Sequence, residues 1–334
     1  MRTTRIAAAA LVALAACSTL DPTTPGNLVP RTVDEDPSLP SIAVNGSLFH
    51  AQVLGPSDGP VIVFLHGGPG GDHRSLLRLA DHVNGESLAD RYRLVFWDQR
   101  GAGLSRRHDK RDLTLETYLQ DLLAIVDRFS PGRRVILIGH SWGGMYATAF
   151  INRYPERVAG AVLIEPGPLD GKTYDRVKSG LVDFDVRREW LNDMAWSSEF
   201  LSADDHVRMD YAYALGDKVS HPKYNERMGT DAEPYWRWGA AAARYITEDG
   251  QDGHGRFTYD FTDRLARFTG PVLFIAGERS EVLGPSLQNE QIHRYPNARL
   301  EVVPGAGHDV QWTDAPTVLA KVRAYLNGLE DAQP

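Results

Sequence analysis

A chain of 334 residues that is 42% hydrophobic and 24% charged reads as globular, long enough for one large domain carrying an insertion. Its formal net charge of −8 and the absence of a basic stripe exclude nucleic acid as a partner, because nothing is present to neutralise phosphates. The single cysteine excludes an internal disulfide, and no Cys/His cluster has zinc-ligand spacing, so neither a metal nor another cofactor is expected.

Residues 1–16 join Arg2 and Arg5 to the apolar run Ile6 to Ala16, which is too short to span a bilayer and is shaped like a secretory signal. The run ends Leu14-Ala15-Ala16-Cys17 and resembles the lipobox of bacterial lipoproteins. That resemblance implies a lipidated Cys17 as the new N-terminus and a protein anchored in the bacterial cell envelope. Ser18 rather than aspartate follows the cysteine, which by the same resemblance implies the outer membrane, facing the periplasm. A plain signal peptide cut after Ala16, with a chance cysteine, is the alternative. From Ser18 to Pro40 the chain is rich in Pro, Thr, Asp and Ser without a hydrophobic period, so residues 17–40 are expected to form a flexible tether.

The folded core is expected over residues 41–168 and 268–334. Short strands around Ser47–Val53 lead to Val61-Ile62-Val63-Phe64-Leu65, a continuous apolar run typical of a strand buried on both faces. The loop His66-Gly67-Gly68-Pro69-Gly70-Gly71 follows. Next come a helical segment over Leu76–Ala89, a strand Tyr92–Trp97, the turn Asp98-Gln99-Arg100-Gly101 and a helix Leu115–Phe129. Strand and helix alternating through short links specify a parallel sheet wound by right-handed crossovers. Arg134–Ile138 is the next strand, and Gly139-His140-Ser141-Trp142-Gly143 is a sharp turn into an Ala-rich helix ending near Arg153. This is G-x-S-x-G in a strand–turn–helix setting, a nucleophile elbow. Its glycines permit close approach to the serine, and the helix start beneath favours negative charge.

Gly160–Ile164 reads as another buried strand, ending at Glu165-Pro166-Gly167-Pro168. Residues 169–267 show no apolar strand and are helix-like, charged and aromatic, with Trp190, Trp196, Trp236 and Trp238. They are expected to form an inserted helical cap. Sheet rhythm returns with Pro271–Gly277, a helix near Leu287–Arg294, a strand Arg299–Val303 and a final amphipathic helix Pro316–Leu326.

From about Ile42 to Leu326 the chain resembles the α/β-hydrolases. Within them, His66-Gly67-Gly68-Pro69-Gly70-Gly71, Asp98-Gln99-Arg100-Gly101 and Gly139-His140-Ser141-Trp142-Gly143, in that order, resemble the proline iminopeptidase group. The residues point to the same chemistry. A serine hydroxyl needs a base within hydrogen-bond reach, and His308, in Gly305-Ala306-Gly307-His308-Asp309 just past the last strand, is the candidate for Ser141. The oxyanion formed on attack needs preorganised donors. The Trp142 N–H supplies one, and by analogy with the family Gly68 supplies the other. The glycine loop is no phosphate cradle, since no Lys-Ser/Thr follows it. His73, His206 and His254 are read as solvated or structurally bonded, His66 as stabilising its loop, His140 as fixed beside the nucleophile, and Asp98 with Arg100 as a structural ion pair.

The family's strand before the histidine is followed by Gly-x-x-Asp, but here Gly277-Glu278-Arg279-Ser280 puts a serine at the acid's place. Glu281 and Glu165 are the two substitutes. Glu165 is preferred, because neighbouring strands of a right-handed winding bring their C-terminal ends to one crevice, and because some haloalkane dehalogenases carry their acid there. The resembled peptidases grip the substrate amine with a glutamate in Trp-x-x-Trp-Glu, whereas Trp236-Arg237-Trp238 is followed here by Gly239, leaving Asp231 or Glu233 as replacements. Cap aromatics suit an apolar acyl or alcohol group. The expectation is a serine hydrolase acting on a small-molecule ester or short peptide through an acyl-enzyme on Ser141. An aminopeptidase proper and a non-catalytic lipid-anchored binding protein are the alternatives.

Overall fold

The computed structural model describes residues 29–181, 204–218, 229 and 234–331; the signal segment, Cys17, Trp190, Trp196, Asp231 and Glu233 lie outside these residues. Among the described residues eight strands form one sheet: β1 (Ser41–Val44), β2 (Ser47–Leu54), β3 (Val61–Leu65), β4 (Arg93–Trp97), β5 (Val135–His140), β6 (Val158–Ile164), β7 (Val272–Gly277) and β8 (Ala298–Val303). Their order is β1-β2-β4-β3-β5-β6-β7-β8. β2 pairs antiparallel with β1 and β4, and the remaining pairs are parallel.

The α-helices among the described residues are α1 (Leu115–Phe129), α2 (Trp142–Arg153), α3 (Gly171–Leu181), α4 (Asp205–Lys218), α5 (Ala240–Asp249), α6 (Pro285–Gln291), α7 (Val310–Thr313) and α8 (Ala315–Asp331). Side chains alternate across each strand. Val61, Val63 and Leu65 of β3 therefore join Leu122, Val126, Tyr146 and Phe150 of α1 and α2 on one face. Ile62 and Phe64 join Leu76, Leu79 and, from α8, Val318, Leu319 and Val322 on the other. Both faces are covered, which is why β3, β5 and β6 read as unbroken apolar runs. The Thr114 hydroxyl accepts a hydrogen bond from the Thr117 N–H and so caps α1. No helix of the described residues is long and apolar enough to cross a membrane.

Two expectations need correction. The helix anticipated over Leu76–Ala89 is a pair of 3-10 segments, His73–Ala80 and Leu88–Asp90. Between them Asn84 and Gly85 take φ of 58° and 83°, a left-handed pair that closes a bridge from Val83 to Glu86 and that no helix can contain. The tether, for its part, does not extend to Pro40. Thr32 and Val33 are each 2% exposed, and the Val33 N–H donates to the Leu104 carbonyl at 2.9 Å.

That N-terminal segment is held by a buried ionic knot. Arg237 donates to Asp210 of α4 at 2.7 Å and to the Pro30 carbonyl at 2.9 Å. Arg107, from the loop after β4, donates to the same Asp210 oxygen at 2.9 Å, and the other oxygen accepts the first N–H of α5, from Ala240. Removing one partner of so buried a pair costs about 3–5 kcal/mol. The knot therefore fastens α4 and α5 to the sheet domain.

Candidate active site

Ser141 joins β5 to α2 with φ 53° and ψ −117°, a backbone conformation that strains any residue with a side chain. The flanking glycines make the turn possible. A Cβ on Gly143 would run into the Leu65 carbonyl at the end of β3, and one on Gly139 into the Gly143 carbonyl. The Ser141 side chain does not cap α2, and its N–H donates to the Ile164 carbonyl at 2.9 Å, tying the elbow to the end of β6.

Glu165 is the next residue of that strand end, and it too has positive φ, 40°. Its N–H donates to the Ile275 carbonyl of β7 at 2.9 Å. Its carboxylate is fully buried: Oε1 accepts the Gly277 N–H at 2.7 Å and Oε2 lies 2.7 Å from His308 Nδ1. With a carboxylate at Nδ1, that nitrogen carries the proton and the basic lone pair falls on Nε2. Of the two glutamates weighed from the sequence, Glu165 makes this contact, whereas Glu281 is exposed. Ser280 is buried, and its hydroxyl has no hydrogen-bond partner among the described residues.

On the other side of the elbow lies the glycine loop. Gly68 has φ 121°, and a Cβ there would press on the backbone nitrogens of Gly70 and Gly71. Gly67 is so close to Ser141 that its Cβ would stand 3.2 Å from the serine's. Trp142 opens α2, so its N–H has no intrahelical acceptor. Gln99 braces these parts together. Its N–H donates to His66 Nε2 at 2.9 Å, its amide donates to the His66 carbonyl at 3.0 Å, and its Oε1 accepts from the Trp142 indole at 2.9 Å. Burial pulls His66 down to about 4, so it sits in the loop as a neutral imidazole.

Asp98 and Arg100 do not pair with each other. Arg100 binds Asp121 of α1 through two hydrogen bonds of 2.7 Å. Asp98 accepts from His50 Nδ1 at 2.8 Å, from His73 Nδ1 at 2.6 Å, and from the N–H groups of His73 and Leu104. Burial opposes the ionisation of Asp98, yet the two histidines outweigh it and hold the carboxyl well below its usual range. With four donors on two oxygens, the Asp98 carboxylate has no lone pair left for a cation. One warning was available in the sequence: Asp121 falls on the apolar face of α1, where a carboxylate needs a buried partner. Nothing comparable pointed to His50 and His73.

The cap meets the site through Trp238 and Gly239. Trp238 stacks on Tyr213 of α4 with ring centroids 4.7 Å apart, and its edge lies 3.2 Å from where a Gly68 Cβ would be. The Gly239 N–H donates to the Gly70 carbonyl at 2.8 Å.

A serine on a strained turn, an imidazole bonded to a buried carboxylate and a helix start beneath the serine are groups that acyl transfer can use. The family model for the alpha/beta hydrolase fold matches residues 60–315. The chain belongs to the alpha/beta hydrolase fold family. This α/β-hydrolase is 27% identical over 295 residues to the proline iminopeptidase PfmaB of Pestalotiopsis fici, covering 85% of its own chain and 98% of the relative. Among solved structures it resembles the proline iminopeptidase of Mycobacterium smegmatis, with a TM-score of 0.58, 20% identity and coverage of 88% and 99%. It likewise resembles a thermophilic esterase from Thermogutta terrifontis, with a TM-score of 0.57, 21% identity and coverage of 86% and 97%.

His66 makes a pH prediction. The folded protein keeps this imidazole neutral down to about 4, while the unfolded chain protonates near 6.5. Between these values the unfolded state binds more protons, so stability is lost as pH falls, with a His66 contribution of about 1.4 kcal/mol per pH unit. Unfolding free energies measured across this window should show a shallower acid slope in His66→Gln than in the native protein. Identical slopes would contradict the assignment.

Proposed function

We propose that this α/β-hydrolase is a serine hydrolase that cleaves a small ester or short peptide through an acyl-enzyme on Ser141. The observation that carries the reading is the buried Glu165–His308 contact of 2.7 Å at the end of the strand beside the elbow. Ser141 Oγ attacks the carbonyl carbon while His308 Nε2 takes the hydroxyl proton. The resulting imidazolium is stabilised by Glu165, and the negative oxygen is received by the N–H groups of Trp142 and Gly68, a contribution of about 3–4 kcal/mol per donor. Collapse of the tetrahedral intermediate expels the alcohol or amine, which takes its proton from His308. Water then releases the acyl group by the same route.

The curated relatives named proline iminopeptidases, at 27% identity, favour a peptide. Gly239 favours an ester. A Cβ at this position would collide with the Gly101 carbonyl and stand 2.8 Å from Ala102 Cα, so a carboxylate side chain has no room there to grip an amine. The ester is the preferred substrate in this reading. For localisation we propose the lipid anchor at Cys17, on the residues that precede it.

On a single preparation, a short-chain aryl ester should be hydrolysed faster than a lactone or a prolyl-amide, and a fluorophosphonate probe should label Ser141. Exclusive cleavage of the prolyl-amide would favour the aminopeptidase reading. Failure of both turnover and labelling would favour a binding protein. In the host cell, Cys17→Ser should move the protein from the membrane fraction to the soluble one or block its processing. A native protein recovered soluble and lipid-free would contradict the anchor.

A further inference from the structure

His140 immediately precedes the nucleophile, yet its ring reaches the base. Its Nε2 lies 3.1 Å from the His308 carbonyl oxygen, and the Gln311 amide, from α7, lies 3.2 Å from its Nδ1. The two contacts together specify one tautomer: Gln311 donates to Nδ1, so Nε2 carries the hydrogen and donates to the His308 carbonyl. The imidazole rings of His140 and His308 pack at a centroid separation of 4.6 Å, and the nearest carboxylate to His140 Nε2 is Asp309 at 3.7 Å. His140 is 1% exposed, at the end of a strand otherwise filled by apolar side chains. A buried imidazole there needs hydrogen-bond partners, and the partner it has chosen is the backbone of the base.

We propose that His140 is a positioning residue that clamps the backbone of His308 while Glu165 holds its ring, so that the nucleophile turn itself sets where the base stands. The inference rests on the reading of Ser141 and His308 as nucleophile and base. Glu165 holds the His308 ring through Nδ1, and the bond from His140 holds the backbone of the same residue through its carbonyl. Ring and backbone are thus anchored from two different strands. Because Ser141 follows His140 directly on a strained turn, the clamp and the attacking hydroxyl move as one body. Displacing a reacting group by about 1 Å can cost 10²-fold in rate. Burial, and after it the neighbouring His308, hold the His140 imidazole well below its usual range. It therefore stays neutral when His308 takes the Ser141 proton, and does not compete for it.

The test compares His140→Phe, which keeps a ring and loses both nitrogens, with His140→Gln, whose amide N–H can reach the same carbonyl. The aryl ester serves as substrate, and the native protein and Ser141→Ala serve as controls. Turnover by the native enzyme with none by Ser141→Ala establishes the underlying reading on its own, whatever the His140 variants do. His140→Phe should then lose about 10²-fold in kcat with little change in KM, and His140→Gln should recover to within roughly tenfold of native. His140→Gln should also keep the acid limb of the kcat/KM profile, because that limb reports His308. A His140→Phe enzyme within a few fold of native, or a folded His140→Gln no faster than His140→Phe, would overturn the clamp. If His140→Phe does not fold, the pH profile of His140→Gln decides, and loss of its acid limb would make His140 a titrating base instead.

Discussion

The contact on which the rest of the site depends is the one between the Glu165 carboxylate and His308. A single side chain joins the end of β6 to the end of β7 through the Gly277 N–H, and joins both to the loop after β8 through the imidazole. β6 and β7 are in register at Ile164 and Ile275, so the strand ends cannot slide to relieve the geometry. Glu165 occupies a positive-φ conformation that costs on the order of 1–3 kcal/mol, and Ser141 does the same one strand away. The Ser141 N–H bonds to the Ile164 carbonyl, so the two strained residues are tied through the sheet that enforces them.

Around this pair the structure is braced by close backbone approach and by neutral polar groups. The glycines of the elbow let it close against β3, and Gln99 fastens the glycine loop to the start of α2. His66 and His140 are both buried and both depressed by that burial, so they serve as fixed donors and acceptors at neutral pH. Fixed dipoles of this kind are suited to charge that develops during a reaction, because they need not reorganise when it appears.

The sheet was legible because its strands are buried on both faces and write themselves as apolar runs between glycines. The elbow was legible because its glycines are sterically required. Glu165 could be placed near the histidine loop because right-handed winding puts β6 beside β5. Other features depended on distances that spacing does not encode. Asp98 lies two residues from Arg100, yet its partners are His50 of β2 and His73 at the start of the 3-10 segment after β3, which only the folded sheet brings together. The His140 clamp likewise needs the path of residues 304–309 over the elbow. The segment 29–40 has a tether's composition, but Arg237 and Asp210, far along the chain, hold it down. The break at Asn84-Gly85 is a tight-turn pair that the helix expected over Leu76–Ala89 did not take into account.

The cap is fixed to this frame by Asp210 and by backbone contact at Gly239, which leaves the aromatic residues Tyr213, Trp236 and Trp238 as its contribution near the glycine loop. In the proposed reading, chemistry belongs to the sheet's strand ends and selectivity to the cap. The most direct test of the account is therefore made on the sheet's side, by steady-state kinetics of Glu165→Gln and Glu281→Gln. Glu165→Gln should lower kcat by about 10⁴ with KM little changed, the consequence of an imidazole left in the wrong tautomer, while Glu281→Gln remains within a few fold of native. A Glu165→Gln enzyme that turns over at nearly the native rate, or a collapse in Glu281→Gln instead, would contradict it.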